Sequence, residues 1–150
     1  GVSPVLGACP GAVHVQRDES PWVQRATGLG EAELATHEGG DTITVGGVEI
    51  TMLHTPGHTP GSQCFLVAGR LVSGDTLFID GCGRTDLPGS DSEQMYDSLQ
   101  RLAALPPDTI VYPGHRYSMP SSASMEAIRD QNYVFRPRGK DQWLMMFGQG

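Results

Sequence analysis

The chain has 150 residues, which bounds it at one domain. Hydrophobic residues make up 38% of it and charged residues 18%, a balance typical of a globular protein and not of a disordered one. The net charge is −7 and no basic run occurs, which argues against binding to nucleic acid. The apolar runs are far too short to span a bilayer, and no signal segment opens the chain, so we expect no membrane partner.

The cysteines indicate a reducing environment. There are three of them, Cys9, Cys64 and Cys82, and none belongs to a C-x-x-C motif. An odd number without such a motif argues against a disulfide framework, so we expect a cytoplasmic protein. Cys82 is the only one in a loop that could be functional, and the favoured interpretation is still a buried, inert thiol.

The first forty residues carry weak signals. Gly1–Pro10 is either the tail of a helix or a disordered lead-in, and the sequence leaves this open. Ala12–Gln16 alternates apolar and polar residues and predicts a short strand. We expect Arg17–Pro21 to turn the chain, Trp22–Thr27 to form one helical turn, and Gly28–Gly40 to be a polar loop.

A hairpin follows with a stronger signal. Asp41–Val45 and Val48–Leu53 alternate apolar residues around the pair Gly46-Gly47, a pattern typical of a β-hairpin. Further strands are predicted over Cys64–Val67 and, after a glycine turn, through Val72.

Three of the five histidines have no motif around them. His14 is expected to be an ordinary strand residue and His37 a solvated loop residue. His54 follows the hairpin directly and could lie behind a metal ligand, but we keep it outside the metal site itself.

His58 is different, because its surroundings restrict it. Two prolines and two glycines flank it in TPGHTPGS, Thr55–Ser62. Proline fixes φ near −65° and glycine permits conformations that a Cβ would forbid. A histidine held in such a turn is pre-placed, as a metal ligand must be.

Two further positions repeat this arrangement of a polar side chain after an apolar run. Asp75 follows one in SGDT, and His115 follows the predicted strand Thr109–Tyr112 in YPGH. Packing alone does not require a histidine or aspartate at three strand ends. Imidazole and carboxylate together suit zinc, iron or manganese, so His58, Asp75 and His115 are predicted to converge on metal.

The remaining sequence predicts helices that cover a core. Ser90 and Glu93 have the spacing of a capping box at a helix start, and either Ser121 or Ser122 is expected to cap a second helix. A third helix is predicted near Asp141–Phe147. The apolar positions of the first two helices recur at helical spacing, at Met95, Leu99, Leu102 and Leu105 and at Met125 and Ile128.

Four segments together resemble the metallo-β-lactamase-fold hydrolases, in the branch of glyoxalase II and the persulfide dioxygenases. They are Thr55–Ser62, Ser73–Phe78 (SGDTLF), Gly81–Asp86 (GCGRTD) and Tyr112–His115 (YPGH). Each motif alone is weak, and their combination over Val13 to Phe147 is specific. The resemblance implies an α+β fold, the four-layer αββα sandwich, with metals at one end where strands meet loops.

One motif of the family, His-x-His-x-Asp-His, does not occur in the sequence. We therefore expect 1–150 to be a single partial domain of this fold that lacks its N-terminal part, or one part of a protein completed elsewhere. Such a domain would leave apolar sheet surface uncovered, so an isolated monomer should be marginally stable. Self-association into a homo-oligomer stays open.

The resemblance also implies a chemistry. Two zinc ions would lie about 3.5–4 Å apart, with iron or manganese as alternatives. Asp75 would bridge them as the catalytic carboxylate, His58 would bind one ion and His115 the other. The expected reaction is hydrolysis of a thioester such as a hydroxyacyl-glutathione. Arg84 and Tyr117 are predicted to contact the substrate, and for Arg84 a structural pair with Asp86 or Asp80 is an equal alternative.

Two other functions stay open at this point. GCGRTD also resembles the persulfide dioxygenases, in which one iron held by two histidines and an aspartate activates oxygen. The chain could also be a non-catalytic remnant that serves a structural role. Metal analysis separates these, since zinc favours hydrolysis, iron alone favours dioxygenation, and no metal favours the remnant.

Overall fold

A computed structural model describes residues 2–9 and 11–148 of the chain. The strands are β1 Val13–Gln16, β2 Leu34–His37, β3 Thr42–Val45, β4 Val48–His54, β5 Gln63–Val67, β6 Arg70–Gly74, β7 Ile110–Pro113 and β8 Ala123–Ser124. The α-helices are α1 Val2–Ala8, α2 Ser20–Thr27, α3 Ser92–Ala103, α4 Met125–Gln131 and α5 Lys140–Phe147. Short 3-10 turns cover Arg17–Glu19, Glu31–Glu33 and Tyr133–Phe135.

The strands form two sheets of unequal size. β1 and β2 pair in parallel as a two-stranded sheet, and the other strands form a six-stranded sheet in the order β3-β4-β5-β6-β7-β8. Neighbours in the large sheet are antiparallel except β6 and β7, which are parallel and are connected through α3. The carboxyl ends of β6 and β7 therefore lie side by side at one edge of the sheet.

One face of the large sheet is covered by helices and forms the core. α3, α4 and α5 contribute side chains that pack against residues from β5, β6 and β7, and each buried member is at most 1% exposed. The buried members are Cys64, Leu71, Leu77, Met95, Leu99, Leu102, Val111, Met125, Ile128, Val134 and Trp143. The predicted apolar faces of the first two helices are thus confirmed as core.

The opposite face of the same sheet is partly open. Phe65 pairs with Val72, and Val72 pairs with Tyr112, so these three side chains lie on one face. Val72 is 47% exposed and Tyr112 is 40% exposed. This face has the character predicted from the sequence, an apolar sheet surface that is not covered.

The predicted polar loop Gly28–Gly40 is wrong in its second half. Leu34–His37 forms β2, because it pairs in parallel with β1 in a register that joins Val13 to Leu34. His37 is not solvated either. Its side chain is 15% exposed, and its Nε2 lies 2.7 Å from Nδ1 of His14.

Two other N-terminal predictions need adjustment. The helix predicted from Trp22 begins at Ser20, because proline fits the first helical turn and Pro21 therefore extends it. Of the two interpretations of the first ten residues, the helical one is right over Val2–Ala8, while Gly1 and Pro10 lie outside the described residues.

The helix caps differ from those predicted. α3 is capped by Asp91, whose carboxylate accepts from the Gln94 amide at 3.0 Å, while Ser90 closes the preceding turn onto Leu87. Aspartate is as good a cap as serine, so the capping box of Ser90 with Glu93 does not form. α4 is capped by Ser124, and neither Ser121 nor Ser122 takes that role.

Candidate metal centre

Three loops at one edge of the large sheet bring His58, Asp75 and His115 together. His58 lies in the turn between β4 and β5, Asp75 directly follows β6, and His115 comes two residues after the end of β7. Because β6 and β7 are parallel neighbours, Asp75 and His115 emerge beside one another. The antiparallel pairing of β4 with β5 returns the His58 turn to the same edge.

Each oxygen of the Asp75 carboxylate faces a different histidine. His115 Nε2 lies 3.3 Å from Oδ1, and His58 Nε2 lies 3.7 Å from Oδ2. The side chains are 20% exposed for His58, 35% for Asp75 and 53% for His115, so the group opens to solvent. This is the geometry of a carboxylate placed between two imidazoles.

His58 is oriented by a carbonyl group on its other side. Its Nδ1 lies 2.9 Å from the Arg84 carbonyl oxygen, to which it donates. That donation requires a proton on Nδ1 and turns Nε2 toward Asp75. Metal-binding histidines are commonly held by such a bond from the second ring nitrogen.

Two glycines allow the backbone to approach Asp75 closely. A Cβ built on Gly83 would fall 1.9 Å from the Asp75 carbonyl oxygen and 3.1 Å from Cβ of His58. A Cβ built on Gly114 would fall 2.8 Å from Asp75 Oδ1. A side chain at position 83 would clash with the Asp75 main chain and one at position 114 with its carboxylate, so both glycines are needed for the observed position of Asp75.

The donor set fits a borderline metal, with one qualification of geometry. Imidazole nitrogen and carboxylate oxygen suit zinc, iron and manganese. Among residues 2–9 and 11–148, however, no group of three His, Cys, Asp or Glu side chains is arranged to hold a single ion. The suitable donor types and the absence of a three-residue group agree if His58 and His115 bind separate ions, because each ion then has one histidine and shares Asp75.

A cleft of about 390 Å³ opens beside these residues and is bordered by the GCGRTD loop. Arg84 and Tyr117, the two predicted substrate contacts, both line it. The Tyr117 ring stacks on the His115 ring at 5.2 Å between centroids, and Phe78 meets the edge of both rings. Phe78 is the last residue of the SGDTLF segment, but its contact with the site was not predicted from the sequence.

Arg84 also forms the predicted ion pair with Asp86. Its Nε and one terminal nitrogen bind the two carboxylate oxygens at 2.8 and 2.6 Å. The bond from Arg84 holds the pKa of Asp86 below its usual range and raises the pKa of Arg84. Arg84 thus lines the cleft and is paired with Asp86 at the same time.

Cys82 lies in the same loop and also lines the cleft. Burial raises the pKa of Cys82 to about 12, so it carries no thiolate at neutral pH. This favours the inert thiol over a nucleophile.

A second cleft of about 440 Å³ lies on the other side of His58 and Asp75. His14 and Gln16 from β1 line it together with His58 and Asp75. His14, expected to be an ordinary strand residue, therefore borders the candidate site. Gln16 is 1% exposed and its Nε2 has no partner among the described residues. His54 lies outside both clefts, with Nε2 bonded to the Pro60 carbonyl oxygen at 2.8 Å.

The fold and this edge of the sheet define a class of protein. The sequence pattern of the metallo-beta-lactamase superfamily matches residues 7–115. Since the match covers more than half of the chain, the chain belongs to the metallo-β-lactamase superfamily. The α+β fold is confirmed as that of the superfamily.

Particular relatives are hydrolases by name. The chain is 39% identical over 112 residues to a probable polyketide biosynthesis zinc-dependent hydrolase, BaeB, from Bacillus velezensis, covering 74% of this chain and 50% of the relative. It is 42% identical over 99 residues to a hydroxyacylglutathione hydrolase from Aeromonas salmonicida, covering 66% of this chain and 38% of the relative. The chain thus spans half or less of these curated relatives.

Solved structures agree in fold. A metallo-beta-lactamase from Staphylococcus aureus gives a TM-score of 0.84 at 25% identity and covers 98% of this chain and 48% of its own. ETHE1 from Myxococcus xanthus gives a TM-score of 0.74 at 28% identity, covering 97% of this chain and 72% of its own. TTHA1623, solved in a di-iron-bound form, gives a TM-score of 0.72 at 32% identity, covering 89% of this chain and 69% of its own.

Within the described part of the chain, no helix is both long enough and apolar enough to cross a membrane.

Proposed function

We propose that this chain supplies the Asp75-centred half of a two-metal site that hydrolyses thioesters, as glyoxalase II does. The observation that carries the proposal is the placement of the two Asp75 oxygens, each toward a different histidine nitrogen. A carboxylate so placed can bridge two ions, with His58 on one and His115 on the other. Zinc is the proposed metal, because relatives are named zinc-dependent hydrolases.

When bound, the metal would lower the pKa of its water toward ~7 and polarise the thioester carbonyl. The residues of this chain would hold the metal and orient the side chains that bind it. Arg84 keeps His58 in one tautomer through its carbonyl oxygen, and Gly83 and Gly114 let the backbone close around Asp75. Asp75 lies between the two histidines and offers one carboxylate oxygen to each of them.

The substrate side of the cleft suits an acyl thioester with anionic groups. Arg84 is the cation at the rim, and Tyr117, 69% exposed, offers an aromatic face and a hydroxyl. A hydroxyacyl-glutathione carries carboxylates that could take the place of Asp86 on the Arg84 guanidinium. Curated relatives named hydroxyacylglutathione hydrolases support this substrate class.

The 150-residue chain alone is expected to bind metal weakly and to turn over slowly or not at all. Each ion would have one histidine and a shared carboxylate, whereas catalytic zinc sites have three protein ligands and an open position. His115 cannot simply move to the ion of His58, because the strand before it and Pro113 hold its loop.

The test is metal content by mass spectrometry together with hydroxyacyl-glutathione hydrolysis by the purified chain. Weak zinc binding that disappears in Asp75→Asn supports the proposed site. Equal zinc binding in Asp75→Asn contradicts it. Stoichiometric metal with substantial turnover would show that the two-ligand argument is wrong and that this chain has a more complete centre.

An alternative is a mononuclear-iron dioxygenase acting on persulfides. The GCGRTD segment carries that resemblance, and it borders the cleft beside His58 and Asp75. Iron is also present in a related fold, since TTHA1623 was solved with two iron ions. Iron retained at one per chain, with oxygen uptake on a persulfide and no thioester hydrolysis, would favour this alternative. A chain with no metal affinity would favour a non-catalytic role.

A further inference from the structure

We propose that Asn132, far from every motif, is a positioning residue that holds the segment Phe78–Arg84 against His58, Asp75 and His115. Asn132 is the only asparagine in the chain and follows α4 directly. The inference rests on the proposed function in one respect, since it assumes that His58, Asp75 and His115 form the functional site.

The Asn132 side chain is buried and fully bonded to main-chain groups. It is 1% exposed. Its Nδ2 donates to the carbonyl oxygens of Phe78 at 3.1 Å and Gly81 at 3.0 Å. Its Oδ1 accepts from the amides of Gly81 at 2.8 Å and Val134 at 3.2 Å. An amide has two donor hydrogens and two acceptor lone pairs, and here each is used.

The bonded segment touches all three site residues. Phe78 places its ring edge-on to His115, at 6.2 Å between centroids. Gly83 lies against the Asp75 backbone so closely that a Cβ would overlap its carbonyl oxygen. The Arg84 carbonyl oxygen accepts from His58 Nδ1 at 2.9 Å. One segment therefore sets the surroundings of three groups that come from three different loops.

The segment has little other means of holding this shape. Its own bonds are a turn from the Phe78 amide to the Gly81 carbonyl oxygen at 3.1 Å, a bridge between Leu77 and Cys82, and a long bond from the Gly83 amide to the Thr76 carbonyl oxygen at 3.4 Å. Gly81 has φ of 96°, a conformation that favours glycine. A side chain that binds both the amide and the carbonyl of Gly81 fixes that turn from outside. Asp, Leu or Ala at 132 cannot form the same four bonds.

The three cysteines make the test direct. Cys9 is exposed, Cys64 is fully buried in the core, and Cys82 lies within the proposed segment. In a Cys9→Ser background, the reaction of Cys82 with a disulfide reagent reports opening of the segment. The reaction of Cys64 reports unfolding of the whole domain. The second readout is the tautomer of His58, measured in the metal-free chain by nitrogen-15 NMR of the imidazoles.

The variants are Asn132→Leu and Asn132→Asp, with Ile128→Ala as control. Ile128 is 1% exposed on α4, so its truncation destabilises the same corner of the core without touching the four bonds. All proteins are the whole 150-residue chain. If Asn132→Leu does not fold, Asn132→Asp and Gly81→Ala disturb the same turn by different routes, since a Cβ on Gly81 would meet Tyr133 Oη at 2.8 Å.

We expect the Asn132 variants to raise the Cys82 reaction rate at least tenfold while Cys64 stays protected, and to lose the preference of His58 for the Nδ1–H tautomer. At matched stability, Ile128→Ala should change neither the Cys82 reaction rate nor the tautomer of His58. An unchanged Cys82 rate, or an open segment with an unchanged His58 tautomer, overturns the proposal. Both readouts work without metal, so their outcome is separate from that of the zinc and hydrolysis measurements.

Discussion

The helix-covered face of the large sheet and the edge that carries His58, Asp75 and His115 are built from the same strands but differ in burial. On the covered face, side chains such as Leu71 and Val111 are fully buried. At the edge, the strands that carry them end in Asp75 and the loop of His115, whose side chains remain 35% and 53% exposed. Buried apolar side chains are therefore concentrated on one side of these strands, and exposed polar side chains follow their ends.

The largest effect is expected from truncation in the covered face. Leu99 is fully buried on α3, so Leu99→Ala should cost about 2–5 kcal/mol of unfolding free energy through lost burial and a cavity. Val72 is 47% exposed on the other face of the sheet, so Val72→Thr should change it by about 0.5 kcal/mol or less. Urea unfolding measures both. A Val72 effect as large as that of Leu99 would mean that the open face is covered in solution.

At the edge, the expected effect is on metal and not on folding. Asp75→Asn removes the charge that both histidines share and should weaken zinc binding by on the order of 100-fold or more, given that even indirect partners contribute 10–100-fold. Asp80→Asn is the matched control, because Asp80 lines the same cleft and is exposed. Chelator competition measures affinity. Equal losses in both variants would reduce the effect to general electrostatics.

Cys82 lies between the covered face and the edge, and its burial should make the free energy of unfolding depend on pH. Its pKa is raised from an ordinary 9.0 to about 12 by burial, so the folded chain keeps a proton that the unfolded chain loses. Its contribution is complete below pH 9 and declines as pH rises from 9 toward 12, by at most about 1.4 kcal/mol per pH unit.

Cys82→Ala should therefore flatten the loss of stability between pH 9 and 11, with Cys64 unchanged in both proteins. Urea midpoints across this range provide the measurement. Parallel curves for the variant and the parent chain would show that Cys82 is accessible to water in the folded state.

The smallest effect on stability is expected for the exposed pair at the rim. Asp86→Asn should leave the urea midpoint unchanged, because Arg84 is 69% exposed and surface pairs contribute little. It should instead strengthen binding of an S-substituted glutathione, since the Arg84 guanidinium is no longer neutralised. Asp80→Asn again serves as control. A lower affinity in Asp86→Asn would assign Asp86, not Arg84, to the substrate.

The sequence by itself determined the elements whose signal is local. The Gly46-Gly47 hairpin, the core positions Leu99 and Ile128, and the turn around His58 follow from periodicity and from the conformational limits of glycine and proline. It also placed His58, Asp75 and His115 at strand ends, because a polar residue after an apolar run is visible without a fold.

Only the tertiary structure decided what depends on distant partners. The sequence does not predict β2, because its pairing with β1 is parallel and non-local, and the partial enclosure of His37 beside His14 depends on the same pairing. Asp91 replaced Ser90 as a cap because the backbone before α3 selects one of two competent residues. Asn132 carries no signal at all, since its four bonds reach main-chain groups that lie about fifty residues away or directly beside it. Such contacts have no sequence period, and only the folded chain brings them together.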